Sequence, residues 1–167
     1  MPDLFPEDLE KWHYFESKLK DIFNSFNTVE IRTPLLESTE LFSRSVGNSS
    51  DIVNKELYSF LDRNKESVSL RPEGSASIIR AIIQKKQEHE KHKLWYQGPM
   101  FRYERPQRGR FRQFHQIGVE YLGYQEGVSE YELISMVLRI NQSIGINDYT
   151  LKINHLGDAN AKDSFCK

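Results

Sequence analysis

The chain has 167 residues, 38% hydrophobic and 28% charged, which suits a globular domain, or part of a larger one, that buries a substantial core. Its formal net charge of −1 excludes capture of a polyanion by bulk charge, so any basic function must be local. No apolar run approaches the length of a membrane span, the acidic opening MPDLFPEDLEKW lacks a signal-peptide pattern, and the single cysteine, Cys166, excludes an internal disulfide or a cysteine-based zinc cluster. A reducing, cytoplasmic setting with no membrane partner is expected.

Residues 6–27 predict an amphipathic helix, with Leu9, Trp12, Phe15, Leu19, Ile22, Phe23 and Phe26 recurring at spacings of three and four. Pro6 suits its first turn, where a missing N–H costs nothing. Val29 and Ile31 alternate with Glu30 and Arg32 as a short strand does, and Pro34 ends it. Residues 35–46 predict a short helix with Ser38 at its N-cap and Leu41, Phe42 and Val46 on one side. A polar loop, residues 47–51, follows. Residues 57–60 and 68–70 predict a hairpin across the polar turn 62–66. A helix over 76–83 then places Ile78, Ile79, Ile82 and Ile83 inward, and 84–93 forms its solvated end. Residues 128–144 predict a second amphipathic helix on Tyr131, Leu133, Ile134, Val137, Leu138, Ile140 and Ile144, closed by Gly145. Tyr149, Leu151 and Ile153 alternate as a final strand, and 156–167 is polar.

Two features stand out from this frame. Residues 94–101 and 114–122 are aromatic and β-branched, as paired antiparallel strands are. The loop between them holds five arginines and one glutamate within residues 102–112. Guanidinium groups grip phosphate or carboxylate in a planar, two-pronged way; the competing reading is a solvated, charged loop at a sheet edge. The second feature is Arg71-Pro72-Glu73-Gly74-Ser75, a turn between a strand and a helix start. Unpaired N–H groups there meet anions, and a carboxylate there meets an ammonium. Glu73 as a cap or helix-dipole partner is the competing reading. His89 and His92 have weak metal-like spacing on a solvated stretch. A nucleic-acid module with interleaved aromatic and basic residues is a further alternative, against which the net charge and the neighbouring turn both argue.

The segment Phe101-Arg102-Tyr103-Glu104, then a loop, then Arg110-Phe111-Arg112-Gln113-Phe114-His115-Gln116 and Glu120, resembles motif 2 of the class II aminoacyl-tRNA synthetases. More narrowly it is similar to the histidyl-tRNA synthetase family. The turn at residues 71–75 resembles that family's amino-acid-binding turn, with Ser75 where threonine is usual. Residues 29–34 look like its motif 1. The resemblance runs from about Asp3 to about Asn160. It implies an α+β fold, an antiparallel sheet flanked by helices, as an incomplete class II catalytic domain. Residues 1–167 would be its N-terminal part, lacking a Gly-Leu-Asp-Tyr-Tyr segment, motif 3, an anticodon-binding domain and the family's N-terminal Arg-Gly element.

The resemblance also implies roles. Arg102 would be catalytic, bridging the ATP α-phosphate and the substrate carboxylate. Glu104 would accept from the adenine amine, with an ion pair to Arg102 or Arg105 as the alternative. Arg110 would hold the terminal phosphates, and Phe114 would stack on adenine or simply belong to the core. Glu73, Ser75 and Gln116 would surround the α-amino and carboxylate groups of histidine, and Glu120 would take its imidazole. Arg108 would meet the tRNA acceptor end; Arg105 and Arg112 receive no role. His115 is read as a strand residue pointing away from Phe114 and Gln116. ATP is the expected substrate, with Mg2+ but with no protein ligand identified for a metal. Histidine, tRNA(His) and a second copy of the chain, joined through the motif 1 region, are the expected partners. A non-catalytic regulatory subunit of histidine biosynthesis shares this fold and is the alternative; the presence of Glu73, Arg102, Arg110, Gln116 and Glu120 favours the enzyme.

Overall fold

The structure is a computed structural model that describes residues 3–47, 55–105, 107, 109–125 and 127–154. Its centre is a ten-residue antiparallel pair, β5 (His92–Phe101) with β6 (Gln113–Leu122), in which Tyr96 faces Gly118, Gly98 faces Gln116 and Met100 faces Phe114. β1 (Val29–Glu30) joins β5 in parallel. A second, antiparallel sheet has β4 (Ser67–Leu70) between β2 (Leu36–Ser38) and β3 (Tyr58–Leu61).

Because side chains alternate along a strand, the β5–β6 pair has two different faces, and each takes its own helices. Trp95 lies on one face with Ile117, Val119 and Tyr121. Against it pack Leu19, Ile22 and Phe23 of α1 (Pro6–Ser25) and Met136 of α4 (Val128–Ser143). The Phe23 and Trp95 rings stand 4.8 Å apart. The opposite face carries Leu94, Tyr96, Met100, Phe114 and Leu122, covered by Ile78 and Ile82 of α3 (Ser75–Gln84). The second sheet is tied to α3 by an ion pair, Arg80 Nη2 to Glu37 Oε1 at 2.6 Å. α2 (Thr39–Val46) buries Phe42 completely. This is the expected α+β arrangement of an antiparallel sheet between helices.

Several local expectations are corrected. Residues 36–38 form β2 where a helix start is predicted, since the open edge of β4 offers backbone partners that a single helical turn does not. Ser38 does occupy the N-cap of α2, but its side chain makes no cap hydrogen bond. In α3 only Ile78 and Ile82 are buried, while Ile79 and Ile83 are 39% and 55% exposed. One residue further along a helix is about 100° round its axis, so a second isoleucine of each pair turns away from the sheet. His92 and Lys93 belong to β5, not to a solvated helix end. His92 Nε2 lies 2.9 Å from the Gln87 carbonyl, and Lys93 Nζ sits 2.6 Å from Glu132 and over the Tyr121 ring. In α4 Met136 is the buried anchor, absent from the predicted face, and Tyr131 and Val137 are exposed. Tyr149, Leu151 and Ile153 pair with none of the described strands and are exposed; alternation without a hydrogen-bonded neighbour does not make a strand. Residues 48–51 of the polar loop, and 156–167, lie outside the described residues.

The burial of Met136 beside Val137 generates a paired test. Met136→Ala should lower unfolding stability by about 2–5 kcal/mol, and Val137→Ala should stay within about 0.5 kcal/mol of the parent. Urea midpoints measured on the two variants check both values.

Candidate functional site

The α3 face of the β5–β6 pair gathers Phe114, Gln116, Gly118 and Glu120 in one row, two residues apart. The N-terminus of α3 stands over the far end of that row. Tyr96 holds it there. Its buried ring fills the gap between sheet and helix so closely that a Cβ on Gly118 would lie 2.3 Å from its Cζ and a Cβ on Gly74 2.2 Å from its Cε2. Both positions therefore admit only glycine without a shift of the ring. The approach brings Ser75 to Glu120, and the Ser75 hydroxyl donates a short hydrogen bond to Glu120 Oε1. Glu73 turns back on its own helix. The Ser75 N–H donates to its Oε2 at 2.5 Å and the Ala76 N–H to its Oε1 at 3.0 Å. The carboxylate thus caps the helix and meets its positive end, while each oxygen keeps acceptor capacity.

Gln116 lies between these groups and Arg102. Its Oε1 is buried with no hydrogen-bond partner among the described residues. Arg102 follows the last residue of β5. Its backbone N–H donates to the Arg112 carbonyl at 3.0 Å, and its side-chain Nε donates to the Pro72 carbonyl at 2.9 Å. That second bond orients the guanidinium plane and leaves the two Nη groups for other partners. The same guanidinium lies 5.2 Å from the centre of the Phe114 ring. Phe114 also packs against the Ile78, Ile82, Tyr96 and Met100 cluster, so its core role is directly visible.

Beyond Arg102 the loop opens into a cleft of about 660 Å³ lined by Tyr103, Glu104, Arg105, Arg110 and Arg112. Glu104 pairs with Arg110 at 3.3 Å. The ion-pair alternative for Glu104 is therefore realised with Arg110, not with Arg102 or Arg105, because the loop folds back through a bridge between Gln107 and Arg110. Arg112 stacks on Tyr103, 4.1 Å from the ring centre, and Tyr103 meets the edge of Tyr58. Arg112 thereby gains a role, bracing the loop base. Arg105 is exposed, and Arg108 lies outside the described residues. His115 points to the other face and meets the Trp12 ring at a tilt, with centroids 4.9 Å apart. No group of three or more His, Cys, Asp or Glu side chains among the described residues is arranged to hold a metal.

Two residues that shape the site are absent from the sequence-derived candidates. Tyr96 reads as one aromatic among several in an apolar strand, and only the glycines opposite it hint at close approach. Arg71 is 4% exposed, although an arginine beside a Pro-Glu-Gly turn reads as surface charge. Burial pushes the Tyr96 phenol above its ordinary value of 10.0, and the negative charges of Glu120 and Glu73 push it further. The fold thus favours the neutral phenol. Its contribution to stability is complete below pH 10 and is lost as pH rises through the raised value. Removing one charge with Glu120→Gln should lower the Tyr96 titration midpoint, measured by ultraviolet difference absorbance against Tyr96→Phe.

Comparison with known proteins shows the family. The family model for histidyl-tRNA synthetase matches residues 1–160. A histidine–tRNA ligase from Prochlorococcus marinus (strain MIT 9515) is 50% identical over 166 residues, which is 99% of this chain and 39% of the relative. One from Staphylococcus carnosus (strain TM300) is 45% identical over 168 residues, with the same shares. The chain thus spans about two fifths of the length of these curated relatives. The crystal structure of apo Staphylococcus aureus histidyl-tRNA synthetase superposes with a TM-score of 0.73 at 39% identity, over 87% of this chain and 33% of that one. A Bacillus halodurans structure described as an ATP phosphoribosyltransferase regulatory subunit/histidyl-tRNA synthetase also gives 0.73, at 26% identity, over 89% and 38%. With its family model matched over residues 1–160 and relatives 45–50% identical along nearly all its length, the chain belongs to the histidyl-tRNA synthetase family.

Proposed function

We propose that the protein is a histidine–tRNA ligase, which joins histidine to ATP as histidyl-adenylate and passes it to tRNA(His), and that this chain forms the first part of its catalytic domain. Family membership supports the reaction class. The site observation that carries the reading is the hydrogen-bonded Ser75–Glu120 pair beside the unpartnered Gln116 oxygen. A buried acceptor left unmatched costs about 1–3 kcal/mol, and the ammonium of an amino acid would satisfy it. Glu120 uses one oxygen for Ser75 and has the other for an imidazole N–H. A site whose polar groups are matched only by histidine rejects apolar analogues strongly.

Activation needs no general base, because the substrate carboxylate is already ionised near neutral pH. It needs two anions aligned and their repulsion offset. Arg102 would do this with its two Nη groups, since the Pro72 carbonyl fixes the guanidinium plane through Nε. Two prongs span a phosphate and a carboxylate where a lysine would act as a point charge. Arg110 and Glu104 would receive the nucleotide, with their mutual ion pair exchanged for contacts to phosphate and adenine. Phe114 would meet adenine with the part of its ring that the Arg102 guanidinium, 5.2 Å from its centre, leaves open. Mg2+ would arrive on the ATP phosphates, as this ion commonly does. The exposed apolar Val29 supports a homodimer through the motif 1 region, and a cytoplasmic site of action accompanies the role. The second reading, a non-catalytic regulatory subunit of histidine biosynthesis, is favoured by the shared fold of the Bacillus halodurans neighbour. The retained Glu73, Arg102, Arg110, Gln116 and Glu120 support the ligase instead.

In the protein translated from the whole reading frame that contains these residues, histidine-dependent ATP–pyrophosphate exchange is expected, and its absence would support the regulatory reading. Arg102→Lys should slow adenylate formation about 10²–10³-fold while ATP affinity changes far less, as measured by pre-steady-state quench and equilibrium binding. The 167-residue chain by itself is expected to bind ATP weakly and to show no measurable exchange.

A further inference from the structure

We propose that Arg71 is a positioning residue for Arg102: its buried guanidinium clamps Thr33 to Pro99, and the clamp sets the Pro72 carbonyl that aims the Arg102 side chain. Arg71 Nε donates to the Pro99 carbonyl at 3.1 Å, and Nη1 donates to both the carbonyl and the hydroxyl of Thr33, each at 3.1 Å. Its backbone is engaged as well. The Arg71 N–H donates to the Leu35 carbonyl at 2.9 Å, and the Arg71 carbonyl accepts from the Phe101 N–H at 3.0 Å. One residue therefore ties together the segment after β1, the end of β5 and the turn that opens α3.

Arg102 depends on this node twice. Its preceding residue, Phe101, is bonded to the Arg71 carbonyl, and its own Nε is bonded to the carbonyl of the next residue, Pro72. The chemistry of the clamp is unusual. No carboxylate lies within ion-pair distance of Arg71 among the described residues. A buried charge hydrogen-bonded to neutral acceptors, with Glu37 acting on it from beyond ion-pair distance, is costly to desolvate. What a guanidinium adds is a rigid fork that reaches acceptors on two segments at once. The space it needs is also provided: a Cβ on Gly98 would stand 2.4 Å from Arg71 Nη2.

The proposal rests on the reading of Arg102 given above, and four variants test it. Arg71→Lys and Gly98→Ala should each slow histidine-dependent adenylate formation about 10²-fold in the whole-frame protein, the loss expected from a misplacement near 1 Å. The Michaelis constants for histidine and ATP should change little. Arg71→Ala should recover activity with millimolar guanidinium ion and not with ammonium at equal ionic strength. Thr33→Val, which removes one acceptor and keeps the carbonyl, should give a smaller loss. A readout free of activity comes from hydrogen exchange of the Arg102 Nε–H, followed by nuclear magnetic resonance on the 167-residue chain. It should be protected in the parent and unprotected in Arg71→Lys. The proposal is overturned if Arg71→Lys and Gly98→Ala keep the parent rate and protection. It is equally overturned if rate and urea stability fall together with no guanidinium rescue. A parent protein without exchange activity would sink the ligase reading, and the protection of Arg102 Nε–H would still decide the role of Arg71.

Discussion

The register of β5 against β6 is the constraint on which the rest of the molecule depends. Ten consecutive pairs leave no freedom to slip, because a shift of one residue would turn Trp95, Ile117 and Val119 away from α1 and α4. The same register puts Gly118 opposite Tyr96 and Gly98 opposite Gln116. Small residues therefore face large ones across the pair, and the openings they leave are filled from above. Tyr96 occupies one and Arg71 the other. Packing on the hydrophobic face and geometry on the polar face are thus consequences of one hydrogen-bonded ladder.

Electrostatics on the polar face follow from how the strand and helix ends are closed. Glu73 spends its carboxylate on the first N–H groups of α3, which settles the helix without a cap from Gly74. The positive helix end and Glu73 largely offset each other at that point. Glu120 lies beyond it; burial, the larger cause, and this carboxylate together raise the neighbouring Tyr96 phenol above its ordinary range. Positive charge collects at the opposite end of the row, at Arg102 and in the loop beyond it. The proposed placement of an amino acid at one end and a phosphate at the other follows this gradient.

Fold resemblance alone does not separate an activating enzyme from a regulatory relative, since a Bacillus halodurans neighbour carries both descriptions in its name. The distinction lies in side chains. Arg102 is held by the Pro72 carbonyl through Nε, and the proposed activation would use its two Nη groups. The loop arginines differ among themselves: the Arg112 side chain is committed to the Tyr103 ring, whereas the Arg110 side chain pairs with Glu104.

Much of this was legible in the amino-acid order. Aromatic and β-branched residues mark β5 and β6, period-3.6 patterns mark α1, α3 and α4, and the residues of the turn 71–75 and of the arginine loop point to a family. These signals are local, carried by neighbours in sequence. Tertiary structure alone decided which of two equivalent apolar faces a helix buries, so Ile78 and Met136 are core while Ile79 and Val137 face outward. It alone decided that 36–38 pairs as a strand and that 149–153 does not, because pairing depends on a partner elsewhere in the chain. It decided too that Arg71, a charge by composition, is buried, since its acceptors at Thr33 and Pro99 lie 38 and 28 residues away. A residue whose function is to join distant segments leaves no mark on its immediate neighbours.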